Sequence, residues 1–107
     1  MFDEEAKEKV KKAIEDETRG AIECWGETYS SMHEGYAVLK EEVEEAEECS
    51  KIINNKLDML WNCIKRGNGD KAFIVSEIRG YAEQMALEAI QIAAVCNKID
   101  ATGLQMG

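Results

Sequence analysis

The stretch from Ile74 to Ile99, IVSEIRGYAEQMALEAIQIAAVCNKI, decides the fold of this chain. One stripe through it steps by four and three: Ile74, Ile78, Tyr81, Met85, Glu88, Ile92, Val95, Ile99. That rhythm belongs to a helix laying one face on a partner helix. Upstream, Val38, Glu42, Glu45, Cys49, Ile52, Lys56, Met59 and Cys63 repeat it. Two long helices are therefore expected, and three glutamates occupy seam positions where leucine would be ordinary.

The surrounding residues set the ends of these helices. Ser31 followed by Glu34 reads as a capping box, opening a helix that runs to about Arg66, with Asn54-Asn55 as a place for a bend. Arg66-Gly67-Asn68-Gly69-Asp70 is a turn, its glycines tolerating positive φ and Asp70 capping the next helix. That last helix is expected from Lys71 to about Asp100, with Gly80 marking a close helix contact. A first helix is expected over roughly Asp3 to Arg19, carrying Phe2, Ala6, Val10, Ala13 and Ile14 on one side and ending at Gly20. Ala21 to Tyr29 then forms a short helical turn, and residues 101–107 a frayed tail. Short loops make the long helices antiparallel, with the first helix packed on the pair. The apolar stripe left uncovered asks for a dimer.

Composition agrees. The 107 residues contain no proline and are 45% hydrophobic, which fits one all-α domain spanning 1–107 with a modest core. The net charge of -9 weighs against nucleic acid or an anionic membrane surface as a partner. Charges fill the N-terminus where a signal peptide needs an apolar run, and no window approaches the roughly 18 apolar residues of a membrane span. Cys24, Cys49, Cys63 and Cys96 lack the paired spacings of zinc sites. Cys49 and Cys63 would stand about 21 Å apart on one helix. All four read as small, buried, reduced side chains of a cytoplasmic protein.

The seam glutamates carry the chemistry. A buried carboxylate without a partner costs several kcal/mol. Two like charges about 4 Å apart add roughly 4 kcal/mol at an effective dielectric near 20. Glu42 and Glu45, three apart, share a helical face, and Glu88 and Gln91 repeat the spacing. In an antiparallel pair three carboxylates and one amide converge. Oxygen-only ligands suit Mg²⁺ or Mn²⁺, ions that also bind substrate phosphates and orient a water for attack at phosphorus. Glu41, Glu44 and Glu48 read as a solvated face; Glu41 is turned about 100° from Glu42 and is not assigned as a base.

HEGYAVLKEEVEEAEE (33–48) together with EAIQIAAVCNKI (88–99) resembles the MazG-like, all-α nucleoside triphosphate pyrophosphohydrolases, most of all small phage and prophage members. Their hallmark is E-x-x-E on one helix and E-x-x-D on a later one. The resemblance spans roughly Trp25 to Ile99 and assigns Mg²⁺ ligation to Glu42, Glu45 and Glu88. Gln91 stands where the family pattern has aspartate, and the segment between the motifs is longer than in compact members. An amide oxygen ligates more weakly and brings no charge. The resemblance implies hydrolysis of an NTP or dNTP to the monophosphate and pyrophosphate, by a dimer or a dimer of dimers that clears unwanted nucleotides. Family members carry base-stacking aromatics near the position of Trp25.

Other residues have plainer readings beside the functional ones. Trp25 is a base-stacking candidate or a core anchor, and Trp61 is expected to pack beside Leu57, Leu60 and Ile64. His33 belongs to a helix end. Lys40, Lys51, Lys56 and Lys98 are candidate phosphate contacts that periodicity does not separate. A competing function is a non-catalytic oligomeric helical binding module with a degenerate metal site, its glutamates paired with lysines of a partner. A di-iron bundle is set aside, because it needs two Glu-x-x-His motifs and the chain has one histidine.

Overall fold

The computed structural model describes residues 1–103. Three helices follow in order: α1 (Glu4–Trp25), α2 (Met32–Arg66) and α3 (Lys71–Thr102). Side-chain caps open each one. Asp3 accepts from the Ala6 amide at 2.8 Å, Ser31 from the Glu34 amide at 3.1 Å and Asp70 from the Phe73 amide at 2.9 Å. The Glu34 carboxylate reaches back one residue further than a capping box requires, accepting from the Ser30 hydroxyl at 2.7 Å. α2 ends in a Schellman arrangement. Gly67 takes a left-handed φ of 69°, its N–H donates to the Ile64 carbonyl, and the Asn68 N–H donates to that of Cys63.

Two local expectations are corrected. Gly20 does not end α1, which continues through Ala21 and Ile22 to Trp25 and stops at Gly26, φ 93°. A mid-helix glycine costs about 1 kcal/mol, and the half-buried Ala21 and Ile22 offset it by extending the packed face. Asn54-Asn55 leaves α2 unbroken, since both side chains point to solvent and take no backbone hydrogen bond from the helix. Of the expected tail, residues 101–102 complete α3 and Gly103 caps it, while 104–107 lie outside the described residues.

α2 and α3 are antiparallel, as their paired residues show. Gly35 meets Ile99, Glu42 meets Gln91, and Lys56 binds Glu77 at 3.2 Å. Residue numbers across the pair thus sum to a nearly constant value. The close approach lies at Gly35, where an added Cβ would stand 3.1 Å from Ile99 Cγ1. It does not lie at Gly80, which has open space. α1 packs on α3 alone, with Asn97 Nδ2 donating to Thr18 Oγ1 at 3.2 Å. A cleft separates it from α2. The loop before α2 is tied to the end of α3: the Tyr29 amide donates to Thr102 Oγ1 at 3.1 Å, and that hydroxyl donates to the Lys98 carbonyl at 2.7 Å.

The single chain is open. Its radius of gyration is 18.0 Å, against about 13 Å for a compact chain of this length. Its accessible surface is 7840 Å², against about 6000 Å² for a compact protein of this mass. The apolar core reduces to Tyr29, Cys49, Ile74, Ala94 and Ile99. Trp61, expected to pack beside Leu57 and Ile64, is exposed with both of them, and Phe2 and Val10 of the first stripe are exposed as well. Trp61 is 56% exposed, with the Lys65 ammonium 5.8 Å from its ring centre. Of the four cysteines, all free, Cys49 alone is buried, Cys63 is half-buried, and Cys24 and Cys96 are exposed. Three helices simply lack the surface to cover every apolar stripe. No helix among the described residues is long and apolar enough to cross a membrane.

Candidate functional site

The antiparallel register carries two halves of a site to one level of the α2–α3 seam. Glu42 and Glu45 come from α2, Glu88 and Gln91 from α3. One carboxylate oxygen from each glutamate lies within 4.8 Å of the others. Glu88 is buried at 7% exposure, Glu42 is half-buried, and Glu45 reaches in from the exposed rim. Donors hold them in place. Gln84 Nε2 donates to Glu88 Oε1 at 2.8 Å, and the Gln91 amide, turned with its nitrogen to the acids, donates to Glu42 Oε2 and Glu88 Oε2, each at 3.0 Å. Gln91 therefore bridges the two helices.

The electrostatics follow from this crowding. Burial, then the charges of Glu45 and Glu88, push the Glu42 carboxyl up from 4.5 to about 7. Glu45 is also raised, first by its hydrogen bond to Glu88 and then by desolvation and the Glu88 charge. Two carboxyl groups can hydrogen-bond only by sharing a proton. Without a cation Glu42 thus still holds part of its proton near neutral pH, which a divalent cation would displace.

The fit to such a cation is good. Mg²⁺ holds oxygens at about 2.1 Å, so its ligands stand roughly 3–4 Å apart. Small rotamer changes from a 4.8 Å spread reach that distance. Turning over the Gln91 amide would present its oxygen to the same point.

Beside the acids, α1, α2 and α3 enclose a cleft of about 450 Å³. Glu42 and Gln91 mark its end nearest the acidic cluster, Glu17 and Glu34 also line it, Val38, Ala94 and Val95 contribute an apolar lining, and Trp25 stands on the α1 side. Trp25 is 80% exposed, so it is no core anchor. Tyr29 and Lys98 also line the cleft, both buried, with Lys98 Nζ 4.3 Å from the Tyr29 ring centre. Burial, ahead of the Glu34 charge, raises the Tyr29 hydroxyl above its ordinary 10.0.

The four lysines that periodicity left equal now separate. Lys40 and Lys51 are exposed, Lys56 is paired with Glu77, and Lys98 faces the cleft. His33 is exposed and outside the cleft lining. Sequence reasoning missed Gln84 and the pairing of Tyr29 with Lys98. A signal existed for Lys98: Leu87, Gln91, Ala94 and Lys98 form a four-three-four stripe adjoining the main one. No protein-family model, curated protein or solved structure gives a significant match to this chain.

Proposed function

We propose that this chain is a Mg²⁺-dependent nucleoside triphosphate pyrophosphohydrolase, converting a (d)NTP and water to a (d)NMP and pyrophosphate. The observation that carries the reading is the convergence of Glu42, Glu45 and Glu88 within 4.8 Å beside a cleft that Glu42 lines and that also presents an aromatic ring. The E-x-x-E and E-x-x-Q segments that supply those acids are the ones resembling MazG-like enzymes. Mg²⁺, or Mn²⁺, would neutralise phosphate charge and lower the pKa of a bound water. The chain's own residues do the rest. Gln84 and Gln91 fix the Glu88 carboxylate, the apolar floor excludes water, and Trp25 offers a face to a base.

The same reading includes a homodimer or dimer of dimers. Leu57, Trp61, Ile64 and Phe73, each half exposed or more, lie toward the α2–α3 turn. The surface in excess of a compact chain, roughly 1800 Å², is of the size a permanent interface removes. Sedimentation of wild type and Trp61→Glu tests this: a dimer that the variant splits is expected, and a monomeric wild type refutes it.

A second reading, the binding module, draws on Gln91. Its amide nitrogen already satisfies Glu42 and Glu88 without a cation. One experiment separates the two. Pyrophosphate release is measured over the common NTPs and dNTPs with and without Mg²⁺, alongside melting temperatures of wild type and Glu88→Gln. The enzyme reading expects Mg²⁺-dependent release from at least one nucleotide and a Mg²⁺-induced rise in melting temperature, both lost in Glu88→Gln. Absence of release from every nucleotide leaves the module.

A further inference from the structure

We infer that Lys98 is a substrate-contacting residue that receives a phosphate oxygen of a nucleotide bound in the cleft, apart from the phosphates held through the acidic cluster. This rests on the nucleotide reading of the site and adds to it the residue that recognises the anion directly. Lysine is among the residues least often buried, because desolvating its ammonium is costly unless an anion or several acceptors replace the water. Lys98 is nevertheless 4% exposed as a residue; its stem is packed away and only its ammonium keeps access to the cleft. Among the described residues its Nζ has no carboxylate within 4.0 Å and makes no hydrogen bond; it rests on the Tyr29 ring face, 4.3 Å away. A ring face attracts the charge but accepts none of its three N–H bonds in the manner of an oxygen.

Three acids line the same cleft, Glu17, Glu34 and Glu42, and among the described residues none forms an ion pair with Lys98; Glu34 accepts from the Ser30 hydroxyl at 2.7 Å, and Glu42 Oε2 accepts from Gln91. The lysine is also built into place. Thr102 Oγ1 accepts from the Tyr29 amide and donates to the Lys98 carbonyl, and Gly35 lacks the Cβ that would stand 3.5 Å from Tyr29 Cδ2. Gln91 and Lys98 both line the cleft and are seven residues apart on α3, about 10 Å of helical rise. A ligand anchored by cation at the acids therefore has a second, separate anchor two turns along. Such two-point recognition suits a polyphosphate chain long enough to reach both anchors, with a planar ring for Trp25.

The test is calorimetric titration of the full chain in EDTA, where the acidic cluster has no cation through which to hold a phosphate, with the common nucleoside 5′-monophosphates and the matching nucleosides. At least one monophosphate is expected to bind 10-fold or more tighter than its nucleoside. Lys98→Met should erase that advantage, and Lys98→Arg should restore part of it. Lys98→Met is further expected to melt no lower than wild type and to keep the full Mg²⁺-induced rise in melting temperature, showing that the fold and the acidic cluster are intact. An undiminished phosphate advantage in Lys98→Met overturns the inference, as does a wild type that binds no monophosphate better than its nucleoside. Lys98-dependent binding without pyrophosphate release sinks the hydrolase reading and leaves the subsite standing. Pyrophosphate release whose KM is unchanged by Lys98→Met does the reverse.

Discussion

Raising the pH of the metal-free protein from 5 to 8 is expected to destabilise it, and the effect traces to Glu42. Its carboxyl is pushed up from 4.5 to about 7 in the fold. Between those values the folded chain holds a proton that the unfolded chain has released. Stability from this group is therefore fully present below pH 4.5 and lost as pH rises through about 7. The displacement corresponds to about 3 kcal/mol. Solvent reaches the half-buried Glu42 and screens part of this, leaving roughly 1–2 kcal/mol. At about 4 °C per kcal/mol for a chain of this size, the melting temperature should fall by roughly 4–8 °C. Thermal melts by circular dichroism in EDTA at pH 5, 6, 7 and 8 read the effect, and Glu42→Gln isolates it. The variant should match wild type at pH 5 and melt higher at pH 8. Added Mg²⁺ competes with the proton, so its stabilisation of wild type should grow with pH, to about 2.7 kcal/mol at 100-fold its dissociation constant. A constant offset between Glu42→Gln and wild type from pH 5 to 8 would refute the reasoning.

Three further substitutions probe the frame around the site. Gly20→Ala fills open space inside α1 and should stabilise by about 0.5–1 kcal/mol in denaturant melts; a loss would mean that this face is covered in the assembly. Gly35→Val should cost about 2 kcal/mol, because its Cβ already meets Ile99 Cγ1 at 3.1 Å before the added methyls are placed; unchanged stability would show that the helices separate easily there. Glu77→Gln breaks the pair with Lys56, whose side chains are 22% and 27% exposed, at a cost of about 1 kcal/mol. A double-mutant cycle with Lys56→Met should return a coupling near 0.5–1 kcal/mol, and zero coupling would remove the pair from the account of α2–α3 register.

How far the site could be read before folding differs from residue to residue. Glu42, Glu45 and Glu88 stood out because each interrupts an apolar stripe, and they do converge. Gln91 was placed by spacing, yet nothing local said that its amide would bridge both helices. Lys98 fell on a stripe with Leu87, Gln91 and Ala94, yet that spacing did not reveal its burial, since burial depends on what lies opposite: here the Tyr29 ring, 69 residues away in the chain. Trp61 and Phe2 misled for the converse reason. An apolar residue on a stripe states a demand for cover, and the single chain has no helix left to meet it.

Local physics explains the division. The three helices, the Ser31 and Asp70 caps and the Gly67 stop were determined by the sequence alone, because hydrogen bonds within four or five residues settle them. The level at which α2 meets α3, the docking of α1 on α3 across an open cleft, and the burial of a lysine beside a tyrosine were decided only by the tertiary structure. Those outcomes depend on contacts between residues tens of positions apart, where Gly35 permits approach and one shifted turn would have carried Glu88 away from Glu42 and Glu45.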